Sequence, residues 1–137
     1  MYKKIIFTHN KTIQMKIEVS NGEIVDKLTI IEIKLERIAD KEKRANLEKE
    51  FKVLEEAVSG IIRHSDPLYK DLYKVNTELW DIEDHIRELE RNRDFGQDFI
   101  ETARSVYFKN DLRSEIKRKI NLSTGSGLIE EKSYDKY

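Results

Sequence analysis

Along most of the chain, apolar residues recur at alternating spacings of three and four. That is the pattern of helices that each bury one stripe. The clearest run is Leu68, Leu72, Val75, Leu79, Ile82, Ile86 and Leu89, spaced 4, 3, 4, 3, 4, 3. Asp66 precedes it as a helix N-cap, and Pro67, the only proline, sits at the favoured first helical position. The spacing predicts a helix from Pro67 to about Arg93, a rod of about 40 Å, ended by Asp94-Phe95-Gly96.

Two helices are predicted before this one. Ser20-Asn21-Gly22-Glu23 reads as a capping box, with the serine taking the Glu23 amide and Glu23 reaching back. Leu28, Ile31, Leu35 and Ile38 follow it. Asp40 reads as the N-cap of the second helix, running to about Arg63 with Leu47, Phe51, Leu54, Val58 and Ile61 on one face. A fourth helix is predicted from about Gln97 to Asn121. Its stripe from Phe99 passes through Ala103, Val106, Asn110, Arg113, Lys117 and Ile120, so an amide and two cations interrupt an apolar face. A slightly rotated face, Ile100, Ala103, Tyr107, Leu112, Ile116 and Ile120, is the expected core contact. Ile5-Ile6-Phe7 and the alternating Ile13 to Val19 flank a turn-prone His9-Asn10-Lys11 and read as a β-hairpin.

The expected fold is therefore mainly α. It is an antiparallel helical bundle with long heptad-patterned helices and a short N-terminal β-hairpin. Residues 1–19 form the hairpin extension, 20–121 the bundle, and 122–137 a tail that packs back on the bundle or on a partner subunit, with Leu128, Ile129 and Tyr134 as apolar anchors.

Composition narrows the function. Net charge is −1 although 39% of residues are charged, which disfavours nucleic acid as a partner. There are no cysteines, so disulfides, zinc–thiolate sites and thiol catalysis are excluded. No apolar run reaches the ~20 residues that span a bilayer, and the N-terminus lacks the apolar stretch of a signal peptide. No membrane association is expected, and the expected location is the cytoplasm.

Three constellations carry candidate chemistry. Arg104, Lys109, Arg113, Lys117, Arg118 and Lys119 crowd the fourth helix around Tyr107 and Asn110. Guanidinium, amide and phenol groups suit a phosphate- or carboxylate-bearing ligand. The plainer reading is complementation of the helix dipole, with Asp111 and Glu115 as neutralising neighbours. On the third helix Asn76, Trp80, Glu83 and Arg87 form a second stripe, in which Trp80 either covers a ligand or anchors a helix contact. The carboxylates Asp26, Glu32, Glu36, Glu42, Glu48 and Glu55 form the third. Helical nucleotide pyrophosphohydrolases bind magnesium through such acids, and Glu83 and Asp84 could face Glu32 and Glu36. The doubled-glutamate motif is missing, so no metal is expected. His9, His64 and His85 have no zinc-site spacing. There is no P-loop, no nucleophile elbow and no cofactor motif, so no cofactor is expected.

The segments Gly22 to Ile30, Asn76 to Arg87, Ala103 to Asp111 and Glu130 to Tyr134 resemble an uncharacterised family of small helical proteins. Its members occur in bacteria, often near surface-polysaccharide genes, and in phages. The resemblance runs from about residue 15 to 137. The resembling motifs are largely polar, including Asp26, Lys27, Asn76, Glu83, Arg87, Arg104, Tyr107, Asn110 and Lys132. That implies a shared polar site built from helices one, three and four and the tail.

The leading expectation is a non-enzymatic binding protein, a homo-oligomer holding a small anionic ligand such as a nucleotide derivative or phosphorylated sugar. Arg104, Arg113 and Lys117 would hold the anion, Tyr107 or Trp80 would stack on a ring, and Asn110 would read a polar edge. Asn76, Arg87 and Lys132 complete the expected site. For a phage-encoded chain, the corresponding role is sequestering a nucleotide immune signal in the host cytoplasm. Two other classes stand beside this one: an interaction adaptor in envelope polysaccharide synthesis, and a metal-dependent nucleotide hydrolase.

Overall fold

A computed structural model describes residues 14–137. It consists of four helices, α1 (Asn21–Arg37), α2 (Lys41–Ser59), α3 (Pro67–Arg91) and α4 (Gln97–Thr124). The predicted β-hairpin is not seen. Its first strand and turn lie outside the described residues, and residues 14–19 have no regular structure. Met15 and Ile17, apolar positions of the expected second strand, are exposed. Among the described residues nothing covers that apolar side, and a lone strand without a partner is not stable.

The caps explain where the helices begin. Ser20 Oγ accepts from the Glu23 amide at 3.1 Å, Asp40 from the Lys43 amide at 2.9 Å, and Asp66 from the Leu68 amide at 2.9 Å. The first capping box is only half formed, because the Glu23 carboxylate binds Lys117 on α4 and does not return to Ser20. Arg44 of α2 donates to the carbonyls of Leu35 and Ile38, covering the C-terminal end of α1. α3 stops when Arg93 turns into the left-handed region at φ 51°. The Arg93 amide reaches the Glu90 carbonyl at 3.0 Å and the Asp94 amide the Leu89 carbonyl at 2.9 Å, a Schellman ending.

α1 is the hub that touches all three other helices. α3 and α4 form a long antiparallel hairpin, with Glu78 against Lys109 and His85 against Asp98. α1 lies against the half of that hairpin where α3 begins and α4 ends. The core gathers there: Val25 and Leu28 from α1, Val58 and Ile62, Tyr69, Leu72 and Val75 from α3, and Ile116 and Ile120 from α4. Of the rotated α4 face expected to make the core, only Ile116 and Ile120 are buried; Ile100, Tyr107 and Leu112 are exposed. Leu112 neighbours Arg113, which reaches α1, so Tyr107 and Leu112 are exposed because they lie on the outer face of α4 and not for want of α1. No described helix is long and apolar enough to cross a membrane.

Candidate functional site

The polar gap in α4 has its counterpart on α1. Asp26 is 1% exposed, buried where α1, α3 and α4 meet. Arg113 grips it side-on, with Nε donating to Oδ1 at 2.9 Å and Nη2 to Oδ2 at 2.5 Å. Asn76 Nδ2 donates to Asp26 Oδ1 at 2.9 Å and to Thr29 Oγ1 at 2.8 Å, and the Thr29 hydroxyl donates to the Asp26 backbone carbonyl at 2.7 Å. Lys117 bonds Glu23 at 2.5 Å and stands 4.0 Å from Asp26. A buried charge is tolerated only when paired and hydrogen-bonded, and Asp26 is both. The hydrogen bond to Asp26 holds the Arg113 guanidinium above its ordinary range, against the opposing effect of burial.

This node forms one wall of a cleft of about 370 Å³ between α1, α3 and α4. Ile33, Leu79, Trp80 and Val106 give it apolar walls, and Asn76, Glu83, Asp84, Asn110 and Arg113 its polar groups. The side-on pairing leaves Arg113 Nη1 with no partner among the described residues. Asn110 and the side-chain carbonyl of Asn76 likewise receive no hydrogen bond among them. Here sit a flat indole, two amides and one fixed guanidinium edge. The arrangement can stack a ring and grip an anionic or carbonyl oxygen.

A second, larger groove of about 1360 Å³ runs between α4 and the C-terminal tail. Its charges are mutually neutralised. Lys132 bonds Asp111 at 2.6 Å, Tyr137 donates to Asp111 at 2.8 Å, and Arg118 meets Glu131 at 2.5 Å. Glu130 accepts from Ser20 and, at 2.9 Å, from Asn121, whose own oxygen takes the Gly22 amide at 2.6 Å. Burial pushes the Glu130 carboxyl up, but hydrogen bonds from Ser20, its own amide and Asn121, with the Lys117 charge, bring it below the usual range. Asp111 is lowered by its bonds from Lys132 and Tyr137. The helices are close here: a Cβ on Gly22 would lie 2.5 Å from the Lys117 carbonyl.

The expected site residues therefore divide. Asn76, Trp80, Asn110 and Arg113 line the cleft, while Tyr107, Asn110, Arg113, Lys117 and Lys132 line the groove. Arg87 lies outside both, bonded to Glu83 at 2.9 Å. Arg104 also lies outside, exposed, with Nε 3.4 Å from the Tyr107 hydroxyl and its guanidinium 6.0 Å from the Phe108 ring centre. Glu83 and Asp84 do not face Glu32 and Glu36. Those two accept the hydroxyls of Tyr69 and Tyr73 instead, because α1 meets their part of α3 more than two turns before Glu83. The hydrogen bond to Glu36 pushes the Tyr73 hydroxyl up to about 12, with burial adding to it.

Two features escaped the sequence patterns. Asp26 was one acid in a series, and nothing local marked it as the partner of Arg113, 87 positions away. His64 has no histidine near it, yet it stands between Glu32 and Glu55. Only the turn between α2 and α3 brings those three together.

The fold and cleft define a small helical protein organised around one buried carboxylate. A family described as one of unknown function, DUF6165, matches residues 15–137, and the chain belongs to that family. The resemblance read from Met15 onward is thus a family membership. Comparison with curated proteins and with solved structures gave no match.

Proposed function

We propose that this chain is a non-enzymatic binding protein that holds a small ligand bearing an anionic group in the cleft between α1, α3 and α4. One observation carries the reading: Arg113 is locked side-on to buried Asp26 through Nε and Nη2, which leaves Nη1 without a partner among the described residues on a side chain that lines the cleft with Asn110 and Trp80. A guanidinium held by an inner carboxylate loses little freedom on binding, which favours affinity. The anion is held by Arg113 and Asn110, with Trp80 stacking on a ring. Lys117, Lys132 and Arg87 serve acids of the chain itself. A cleft of about 370 Å³ lies at the small end of ligand pockets, and suits a mononucleotide or sugar phosphate better than a dinucleotide.

Calorimetry with a panel of nucleoside monophosphates and sugar phosphates tests this. At least one is expected to bind, and Trp80→Ala and Asn110→Ala should each weaken it by about tenfold while circular dichroism stays unchanged. Absence of binding across the panel at about 1 mM ligand would sink the reading.

A second reading is an interaction adaptor working as a helical homo-oligomer. It is favoured by the outer face of α4, where Ile100, Phe108 and Leu112 are each more than 40% exposed. Sedimentation at increasing concentration, with Leu112→Lys as control, separates a self-associating face from a monomer.

A further inference from the structure

On the other side of α1 from the cleft, three elements bring metal-ligating groups together. Glu32 comes from α1, Glu55 from the last turns of α2, and His64 from the turn into α3. One ligand atom from each lies within 4.8 Å of the other two. His64 Nε2 is 3.1 Å from Glu55 Oε2, and His64 Nδ1 is 3.4 Å from Glu32 Oε1. Glu55 Oε2 is closed to solvent and has no hydrogen-bond donor. Among the described residues, no lysine or arginine bridges either carboxylate. Among the described residues, His64 is the only basic side chain that meets either carboxylate. Two carboxylates thus converge on one imidazole in a partly closed site.

The surroundings are arranged as metal ligands usually are. The Tyr69 hydroxyl donates to Glu32 Oε1 at 2.7 Å, fixing that carboxylate. The Tyr69 ring stacks on His64, with centroids 4.3 Å apart and planes 20° apart, fixing the imidazole. Outer partners of this kind orient the ligands of metal sites. An imidazole with two carboxylates favours a first-row transition ion over magnesium or calcium, which prefer all-oxygen shells.

We infer that Glu32, Glu55 and His64 form a site for one divalent transition-metal cation, with zinc the best match. It takes one oxygen from each glutamate and one imidazole nitrogen, with a fourth position left to water. The two glutamates meet different ring nitrogens, Glu32 at Nδ1 and Glu55 at Nε2, so one of them swings along the ring edge when all three bind one ion. The ion neutralises the paired carboxylates and ties the end of α2 to α1 and to the turn before α3. This inference is independent of the cleft on the opposite side of α1.

Calorimetric titration of the chelator-treated full chain with zinc chloride, and with cobalt as a spectroscopic stand-in, tests the site. One zinc per chain, a visible cobalt band of tetrahedral type and a rise in Tm with zinc are expected. His64→Gln and Glu55→Gln should each lower zinc affinity by about tenfold or more, whereas His85→Gln should leave it unchanged. His85 is the control because it too meets acids, at Asp98 and Glu88. Both ligand variants change partly exposed side chains, so each serves if the other misfolds. The inference is overturned if no zinc binds at about 100 µM, if both ligand variants bind as tightly as the parent, or if only His85→Gln loses the ion.

Discussion

The two halves of the α3–α4 hairpin have the same heptad spacing and opposite environments. Near α1, Leu72, Val75, Ile116 and Ile120 are almost wholly buried. Beyond it, Leu79, Ile82 and Ile86 continue the stripe but are only half-buried, and burial returns only at Leu89 near the tip of the hairpin. Equal periodicity therefore does not mean equal burial. A stripe records which face a helix can bury, and the third helix decides how far along it that happens. The cleft lies at the transition between the halves, where apolar walls are still present and cover has begun to fail.

The sharpest way to break this contrast is to remove the charge that anchors the near half. Asp26→Ala leaves the Arg113 cation without its partner and should cost about 3–5 kcal/mol, read as a lowered urea midpoint. A cost under about 1 kcal/mol would mean that the node contributes little. Next is a matched pair. Leu72→Ala should cost roughly 2–5 kcal/mol and Ile86→Ala only about 1, and equal values would erase the distinction between the halves. Gly22→Ala puts a methyl against the Lys117 carbonyl and should cost about 1–3 kcal/mol. At the far tip the sign reverses: Arg93→Gly relieves a left-handed residue and should stabilise the protein by about 1 kcal/mol in the same titration.

The smallest effect is expected in the tail. Glu130 and Asp111 both have carboxyls below the usual range. Their contribution to docking is therefore complete above the unfolded value, about pH 4 to 4.5, and is lost as pH falls through their lower folded values. NMR relaxation should show residues 128–137 losing their fixed position in acid before the helices do. Simultaneous loss would show that the tail and helices open as one unit.

How much of this was legible depended on where each partner sits. The α3 stripe, the Asp40 and Asp66 caps and the break at Asp94 rest on residues a few positions apart, so the sequence displays them directly. The interruption at Asn110, Arg113 and Lys117 was equally visible. Its cause was not, because Asp26 and Glu23 approach from another helix. The half-formed capping box has the same origin: a local rule assigned Glu23 to Ser20, and a cation on α4 took it. The spread of Glu32, Glu55 and His64 over α1, α2 and a turn hides that cluster from any spacing rule.

The bonds that join Gly22 to Asn121 and Ser20 to Glu130 span 99 and 110 positions. They set an order of events in folding. α1 can pair with α2 early, from contacts close in the chain, and α3 can zip onto α4 in the same way. The first turn of α1 is fully locked on α4 only once Asn121 and Glu130 are in place. Contacts this distant slow the final docking step. The cleft, which needs α1 for one of its walls, is complete only when α1 has docked on the hairpin.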